Sequence, residues 1–386
     1  MKNIMIITSY FPPEIGAASN RIFHLAEGLQ SDYNVTVVTP LPNYPTGKIF
    51  DAYKGKFKVK SQENNINIVR LWLYASKSKN KFVRLFAMLS YSMSLVWFFM
   101  WNKIPDKVIV QSPPLLVAFT CMLFLRSKKR KLILNVSDLW PSAGFELGAL
   151  KQGFSYKLLQ KLERFNYKSA DLVLGQSNEI LTHVGKITSK PELFLYRNYP
   201  NINRQNITET SLDNDTLKIV YAGLLGVAQG ILKLCKELDY SNIELHIYGS
   251  GAEENDIKTF IENNKDLPVH FYGRVDRAEL YSELKKYDIV IIPLLNRIYG
   301  SVPSKIFEYA KLGLPMLYFG GGEGEDVINE NNLGWVAKAG DYSHLNSTIK
   351  SIEKEKLNVD LKQKIQQTAY KNFDFNTQLE LLKREL

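Results

Sequence analysis

Short runs of apolar residues alternate along this chain with longer segments in which apolar positions recur every three or four residues. The short runs predict buried parallel strands, and the longer segments predict the crossover helices that connect such strands. The alternation occurs twice, so the pattern predicts an α/β fold with two doubly wound domains. The predicted strands are 3–8, 34–39, 66–71, 107–111, 131–136, 171–175, 217–222, 243–248, 268–272, 288–292 and 315–319.

The length supports the same division, because 386 residues exceed the size at which one hydrophobic core stops growing. A polar stretch rich in Asn, Asp and Thr follows the turn cluster at 198–201 and separates the two strand series. We therefore predict an N-terminal domain at 1–200, a linker at 201–216 and a second domain at 217–370. A C-terminal helix is predicted within 371–386.

Charge differs between the two halves. The net charge is +15 over residues 1–200 and −5 over 201–386. A basic first half indicates an anionic partner: nucleic acid, a membrane surface or a phosphorylated substrate. The basic residues cluster around apolar runs rather than along an aromatic groove, so we expect no nucleic acid.

Residues 85–101 contain no charged side chain and are flanked by lysines and arginines. A helix of this length reaches about 25 Å, somewhat short of a membrane span. Two alternatives remain: a buried core helix, or a helix in the membrane interface with Trp97, Phe98, Phe99 and Trp101 among the headgroups. The basic flanks favour the second alternative.

The first apolar run is too short for a secretory signal, and the chain has only two cysteines, far apart. Both observations predict a cytoplasmic protein. The five histidines show no metal-ligand spacing, so we expect no metal site and no cofactor.

Glycines follow several predicted strands where a helix pattern begins. Gly16 lies in such a turn, with Arg21 one helical turn later, and Gly226 and Gly249 follow strands of the second half. Glycine allows a ligand to approach the backbone, and a helix N-terminus favours an anion. Arg21 could bind phosphate. The simpler alternative is an ordinary strand-to-helix turn, although the repeated glycine turns in the second half favour a nucleotide cleft.

The pattern of residues 301–315 predicts a capped helix that ends at a glycine. Lys305 and Glu308 are three residues apart and share one helix face, where a surface ion pair is the simplest interpretation. The functional alternative is that Glu308 binds a ribose diol and Lys305 a phosphate. The glycine-rich loop 320–324, next to Glu325, is typical of a loop close to a ligand.

The chain resembles the family 4 retaining glycosyltransferases of the GT-B fold, within them the bacterial branch that transfers N-acetylfucosamine and similar sugars in O-antigen and capsule synthesis. The resemblance rests on an ordered set of segments: YFPPEIGAASNR, PLPNYPTGK, VSDLWP, YAGLLGVAQG, YGSGAE, FYGRV, VPSKIFEYAKLGLP and GGGEGE. It implies two Rossmann-like domains that face each other across a cleft, with the nucleotide held mostly by the second. It also implies that the last helix packs back on the first domain.

The resemblance implies roles for individual residues. Glu308 would bind the ribose, while Arg274, Ser304 and Lys305 would surround the diphosphate. Gly16 would face the donor phosphates, and Asp138 would act on the reacting sugar, unless it is only a helix cap before Leu139. Three positions depart from the family pattern, because Gly300 replaces a second Glu, Gln229 lies near the position of a basic residue and Ser137 replaces a His.

The expected reaction moves a sugar, with retention, from a UDP-sugar to a saccharide on a polyprenyl diphosphate at the inner face of the cytoplasmic membrane. The one Asp-x-Asp sequence, at 213–215, lies in the predicted linker, and the reaction is expected to need no metal. Two other functions remain open, a sugar-nucleotide epimerase of the same fold and a non-catalytic membrane-bound subunit.

Overall fold

The structure is a computed structural model that describes residues 1–78, 80–146, 148, 150–204, 206–207, 216–295 and 297–386, with the main chain alone at 81 and 84. It divides into two compact units, one of Met1–Asn198 with Asn376–Leu386 and one of Tyr199–Phe375. Each unit contains a sheet made mainly of parallel strands with crossover helices, which confirms the predicted α/β fold class. Part of the predicted linker 201–216, at 205 and 208–215, lies outside the described residues.

The first unit is built on a sheet of the order β3-β4-β2-β1-β5-β6-β7-β8, in which only the pair β3 and β4 is antiparallel. The central strands are apolar and buried because helices cover the sheet. Its strands are β1 Lys2–Ile7, β2 Tyr33–Pro40, β3 Lys58–Glu63, β4 Ile66–Leu71, β5 Lys107–Ser112, β6 Lys131–Val136, β7 Leu172–Gly175 and β8 Glu192–Leu195. Its helices are α1 Ala17–Leu29, α2 Lys81–Trp101, α3 Leu115–Phe124, α4 Ser142–Glu146, α5 Phe154–Ser169 and α6 Asn178–Ile187.

The second unit has a parallel sheet of the order β11-β10-β9-β12-β13-β14. Its strands are β9 Leu217–Leu224, β10 Ile243–Ser250, β11 Val269–Gly273, β12 Ile289–Pro293, β13 Met316–Phe319 and β14 Gly334–Val336. Its helices are α7 Ile231–Glu237, α8 Glu254–Asn263, α9 Arg277–Leu284, α10 Ser304–Lys311, α11 Glu323–Glu330, α12 Tyr342–Lys350 and α13 Val359–Asn372.

Three strands were not predicted, and all three lie at sheet edges. β3 is polar and largely exposed, β8 has four residues and β14 has three. An edge strand needs no continuous apolar run, so the pattern that identifies central strands does not detect it.

The last helix, α14 Phe375–Glu385, packs on the first unit. Gln378 and the backbone of Arg197 exchange two hydrogen bonds, of 2.9 and 3.0 Å. A Cβ on Gly28 of α1 would lie 2.3 Å from a methyl carbon of Leu379, so glycine allows the two helices to approach closely. The C-terminal end of the chain is therefore part of the first unit's core.

Candidate functional site

The strand order of the second sheet marks a place where a ligand can reach the ends of parallel strands. From β9, the chain builds β10 and β11 on one side and then β12, β13 and β14 on the other. At such a topological switch point the loops after adjacent strands diverge and leave a crevice at the carboxyl ends. The candidate site consists of side chains that follow β9, β10, β11 and β12.

Two glycines keep the ends of β9 and β10 free of side chains. Gly223 and Gly249 are paired in register, with φ angles of +157° and +147°. A Cβ on Gly249 would lie 1.8 Å from the carbonyl oxygen of Gly223, so no side chain fits there. A cavity of about 270 Å³ lies beside them, and its lining includes Leu224, Tyr248 and Arg274. The prediction that Gly249 lies at a ligand-accessible turn agrees with this geometry.

Lys305, in the first turn of α10, places its ammonium group at the end of β9. Nζ donates a hydrogen bond to the carbonyl oxygen of Ala222 and lies 4.9 Å from the ring centroid of Tyr221. Burial lowers the pKa of Lys305 to about 8, because the ammonium has lost much of its hydration. An ammonium group has three donors, so this one retains capacity to bind an anion.

Glu308 lies one turn after Lys305 and is held by two residues of α9 rather than by the lysine. The hydroxyl of Tyr281 and Nη2 of Arg277 both donate to Oε1 of Glu308, the second over 3.1 Å. Nε of Arg277 also donates to the hydroxyl of Tyr281 over 2.6 Å. Within the described part of the chain, no group donates to Oε2, and the side chain keeps 19% of its surface exposed. This oxygen can accept hydrogen bonds from a ligand.

Arg277 and Tyr281 were not predicted. They share a face of α9 at a spacing of four residues, but they lie 31 and 27 residues before Glu308. No local pattern in the sequence links them to α10, because the contact depends on how the two helices pack. The simpler alternative for this helix face, an ion pair between Lys305 and Glu308, does not occur among the ion pairs of the described residues; Glu308 pairs with Arg277 instead.

Arg274 and Ser304 complete this group of predicted residues. Arg274 follows β11, has an exposed side chain and lines the cavity beside Gly249. Ser304 is the first residue of α10, where the helix has no side-chain cap. The structure therefore brings Gly249, Arg274, Ser304, Lys305 and Glu308 to the carboxyl edge of one sheet.

Gly226 lies in the turn after β9, but the helix that follows has an internal partner for its N-terminus. Oε2 of Glu253 accepts hydrogen bonds from the backbone N–H groups of Ile231, over 3.1 Å, and Leu232, over 3.4 Å. The sequence predicted that backbone N–H groups at this turn are free to bind a diphosphate. This prediction is wrong for the N-terminus of α7, because the Glu253 carboxylate already accepts hydrogen bonds from its backbone N–H groups.

Glu325 lies in the first turn of α11, beside another cavity of about 550 Å³ that includes Trp335 and His344 in its lining. Among the described residues, no contact connects Glu325 with Glu308 or Lys305. The glycine loop before it approaches protein instead, because a Cβ on Gly322 would lie 2.2 Å from Nε of Arg297. The structure does not bring Glu325 together with the other predicted residues.

In the first unit, Arg21 is a buried structural residue. Its guanidinium donates to Asn135 Oδ1 and to the carbonyl oxygen of Tyr196, both over 2.9 Å. It also donates to Ser137 Oγ, over 3.2 Å, and Gln176 Oε1, over 3.1 Å. The side chain is 4% exposed, and burial lowers its pKa to about 10. We therefore correct the prediction of a phosphate contact, because Arg21 binds the segments that follow β6, β7 and β8.

Gly16 and Asp138 lie at the carboxyl edge of the first sheet. Gly16 precedes α1, which has no side-chain cap, and a Cβ there would meet only Tyr44, at 3.7 Å. Neither its φ of 169° nor packing requires glycine at this position. Asp138 follows β6, and burial raises the pKa of its carboxyl group, partly offset by the charge of Arg21. The structure shows no side-chain capping bond from Asp138 to α4 in the described residues.

The predicted interfacial segment forms α2, which is half buried. Tyr91, Leu95 and Phe98 lie in the core, whereas Trp97 and Trp101 are 66% and 69% exposed. The prediction of an exposed Phe98 is wrong, since it lies on the core-facing side of the helix. The exposed apolar side chains continue along the other side at Phe82, Leu85, Phe86, Leu89, Met93, Trp97, Met100 and Trp101, which we call the α2 apolar face.

A basic helix packs on α3, the helix that also packs against α2. α3 packs against both α2 and α5, and α5 exposes Lys157, Lys161, Arg164 and Lys168 at helical spacing. In the described residues, none of the helices combines the length and apolar character needed to cross a membrane.

In a comparison with known proteins, each half of the chain matches a family model of glycosyl transferases. The family model for glycosyl transferases group 1 matches residues 204–372, and the model for the glycosyl transferase 4-like domain matches 16–192. No curated protein matches.

Similar solved structures extend over the whole chain. Sucrose-phosphate synthase from Thermosynechococcus elongatus has a TM-score of 0.74 and 13% identity, covering 100% of this chain and 98% of that one. HepE from Anabaena, in complex with UDP-glucose, has a TM-score of 0.65 and 15% identity, covering 100% of both chains. The lipopolysaccharide outer core galactosyltransferase WaaB, in its apo form, has a TM-score of 0.68 and 16% identity, covering 100% of both. These similarities show the fold.

Proposed function

The chain belongs to the glycosyltransferases of the GT-B fold, and from that premise we propose that it transfers a sugar from UDP to a lipid-linked saccharide during synthesis of a bacterial surface polysaccharide. Structures of the similar HepE and of TarM from S. aureus hold UDP, which supports UDP as the nucleotide. The resemblance of the motif set to family 4 supports retention of configuration and an N-acetylated deoxyhexosamine as the sugar.

The observation that carries this proposal is the arrangement at the ends of β9 and β12. Glu308 offers Oε2 to the hydroxyls of a ribose, and Lys305 offers an ammonium within one helical turn. The cavity beside Gly223, Gly249 and Arg274 has room for part of a nucleotide. We propose that the ribose binds Glu308 and that the diphosphate binds Lys305, Ser304 and Arg274.

The same groups explain how transfer would be accelerated. When the bond between the sugar and the diphosphate breaks, negative charge grows on the departing phosphate, and fixed cations stabilise that charge more in the transition state than in the ground state. Lys305 and Arg274 supply cationic donors, and the uncapped N-terminus of α10 adds a dipole. In the first unit, we propose that Asp138 acts on the reacting sugar and that Gly16 allows backbone N–H groups to contact donor phosphate.

We propose that the first unit binds the inner face of the cytoplasmic membrane through the α2 apolar face. Exposed Trp97 and Trp101 suit the headgroup region, and the basic side chains of α5 suit anionic lipids. Attachment there would bring the enzyme to a polyprenyl-linked acceptor.

Vesicle flotation tests this attachment. With vesicles of phosphatidylglycerol and phosphatidylethanolamine, we expect Trp97→Ser combined with Trp101→Ser to reduce bound protein severalfold while the melting temperature stays unchanged. Leu193→Ser combined with Leu381→Ser removes exposed apolar side chains of β8 and α14 and should leave binding intact. Equal flotation of all variants would reject the α2 apolar face as the attachment site.

Product analysis tests the transfer itself. The chain is incubated with UDP-sugars and a membrane extract containing lipid-linked saccharides, and products are identified by mass spectrometry. Transfer predicts release of UDP with growth of the lipid-linked saccharide. Free epimerised UDP-sugar would identify an epimerase, and neither product with any donor would favour a non-catalytic subunit.

A further inference from the structure

The histidine spacing in the sequence predicted no metal site, but strand pairing brings two histidines and a glutamate together. His246 on β10 pairs in register with His270 on β11, and Glu244 precedes His246 by two residues on the same strand face. One ligand atom from each of the three lies within 4.8 Å of the others. A pattern read along one strand cannot detect such a cluster, because its third member comes from the neighbouring strand.

We propose that Glu244, His246 and His270 bind a divalent transition-metal cation of the Zn²⁺ type at the edge of the second sheet. Two imidazoles and one carboxylate form a common protein ligand set for zinc, with a fourth position left for water. In a tetrahedral site with bonds of about 2.1 Å, neighbouring ligand atoms lie roughly 3.4 Å apart. The longest separation in the cluster therefore needs to shorten by about 1.4 Å, which side-chain rotation supplies.

The surroundings support His246 as a ligand through its Nε2 atom. Nδ1 of His246 lies 3.0 Å from the hydroxyl of Tyr272, and Nε2 lies 3.2 Å from Oε2 of Glu244. Ligating histidines usually have their second ring nitrogen fixed by a hydrogen bond, and Tyr272 provides that partner. A cation between Nε2 and Glu244 would replace the contact between them, and the imidazole proton would then lie on Nδ1 and be donated to the Tyr272 hydroxyl.

The accessibility of the three residues suits exchange with solvent cations. His246 is buried at the inner end of the cluster, Glu244 is half-buried and His270 is exposed. One positive charge opposes binding, since Lys218 on β9 pairs in register with Glu244 and acts electrostatically on His246. Replacing Lys218 by an uncharged residue should therefore strengthen metal binding, whereas replacing a ligand should weaken it.

Calorimetric titration of the untagged, metal-free full-length chain with ZnCl₂ at pH 7 tests the proposal. We expect binding of one Zn²⁺ per chain, weakened at least about tenfold in His270→Ala and in Glu244→Gln, because each loses one ligand. Lys218→Met should bind more tightly than wild type. His24→Ala removes a histidine of α1 and is the matched control, with affinity unchanged.

Co²⁺ spectroscopy gives a second measurement on the same variants. Intense visible absorption from tetrahedral Co²⁺ is expected in wild type and not in His270→Ala, whose melting temperature without metal should match wild type because the side chain is exposed. Absence of Zn²⁺ binding by wild type would overturn the proposal. Equal affinity in wild type, His270→Ala and Glu244→Gln would overturn it as well.

Discussion

The six parallel strands β4-β2-β1-β5-β6-β7 of the first sheet follow the same order as β11-β10-β9-β12-β13-β14 of the second, and both sheets have a glycine-bearing turn after their first strand. The environment of a basic side chain differs between the two sheets. At the first sheet, Arg21 is enclosed by four protein acceptors and is almost inaccessible. At the second, Lys305 has one carbonyl acceptor among the described residues, and Arg274 is exposed beside a cavity. Similar strand-and-turn geometry thus accompanies a buried structural cation in one unit and accessible cations beside a cavity in the other.

The acidic side chains show the same contrast. Glu253 satisfies the N-terminus of α7 inside the second unit, so a carboxylate occupies a position at which an anionic ligand was predicted. Glu308 is anchored through Oε1, whereas no group in the described part of the chain donates to its Oε2. What separates a structural from a binding group is the number of protein partners that its polar atoms already have.

The largest expected effect is on stability. Arg21→Met leaves four acceptors without a donor in the core of the first unit, which we expect to cost about 3 kcal/mol or more. The melting temperature of the variant should fall by several degrees, whereas Arg126→Met, at an exposed position, should leave it unchanged. UDP affinity of folded Arg21→Met should equal that of wild type. Wild-type stability with lost UDP binding would instead identify Arg21 as a phosphate ligand.

Lys305 is predicted to control UDP binding through its charge. Lys305→Met should weaken UDP roughly tenfold to a hundredfold, since a hydrogen bond to a charged group contributes about 1.5–3 kcal/mol. The pKa of this lysine is about 8 in the free protein, so the charged form dominates below that pH and is lost above it.

The pH dependence follows from the same pKa. UDP affinity should fall as the pH rises from 7 to 9, by up to about tenfold at pH 9, because UDP then binds at the expense of reprotonating Lys305. Calorimetry in buffers of different ionisation enthalpy would detect the proton uptake. In Lys305→Met the decline should disappear. An equally steep decline in that variant would assign the titration to another group.

Tyr281 is predicted to have a smaller effect, because it positions Glu308 without touching the nucleotide. Tyr281→Phe removes one hydrogen bond to Oε1, which corresponds to about 1 kcal/mol or a severalfold loss of UDP affinity. Combined with Glu308→Ala, the substitution should add no further loss, since its effect passes through that carboxylate. Tyr240→Phe alters a tyrosine at the opposite end of the sheet and is the control. Additive losses in the double variant would show that Tyr281 contacts the nucleotide itself.

The sequence predicted those parts of the structure that depend on local periodicity. The central strands follow from buried apolar runs, and the common face of Lys305 and Glu308 follows from helical spacing. Contacts between distant segments were not predictable in this way. The burial of Arg21, the capping of α7 by Glu253 and the anchoring of Glu308 by Arg277 and Tyr281 each depend on packing that the local pattern does not encode.

The central claim is that the carboxyl edge of the second sheet binds a nucleoside diphosphate through Glu308. Calorimetric titration of the full-length chain with UDP, GDP, dTDP and ADP, alongside Glu308→Ala and the exposed control Glu262→Ala, tests it most directly. We predict that UDP binds most tightly, that Glu308→Ala weakens it at least about tenfold and that Glu262→Ala does not change it. Binding of UDP with equal affinity by Glu308→Ala, or binding of none of the four nucleotides by wild type, would contradict the claim.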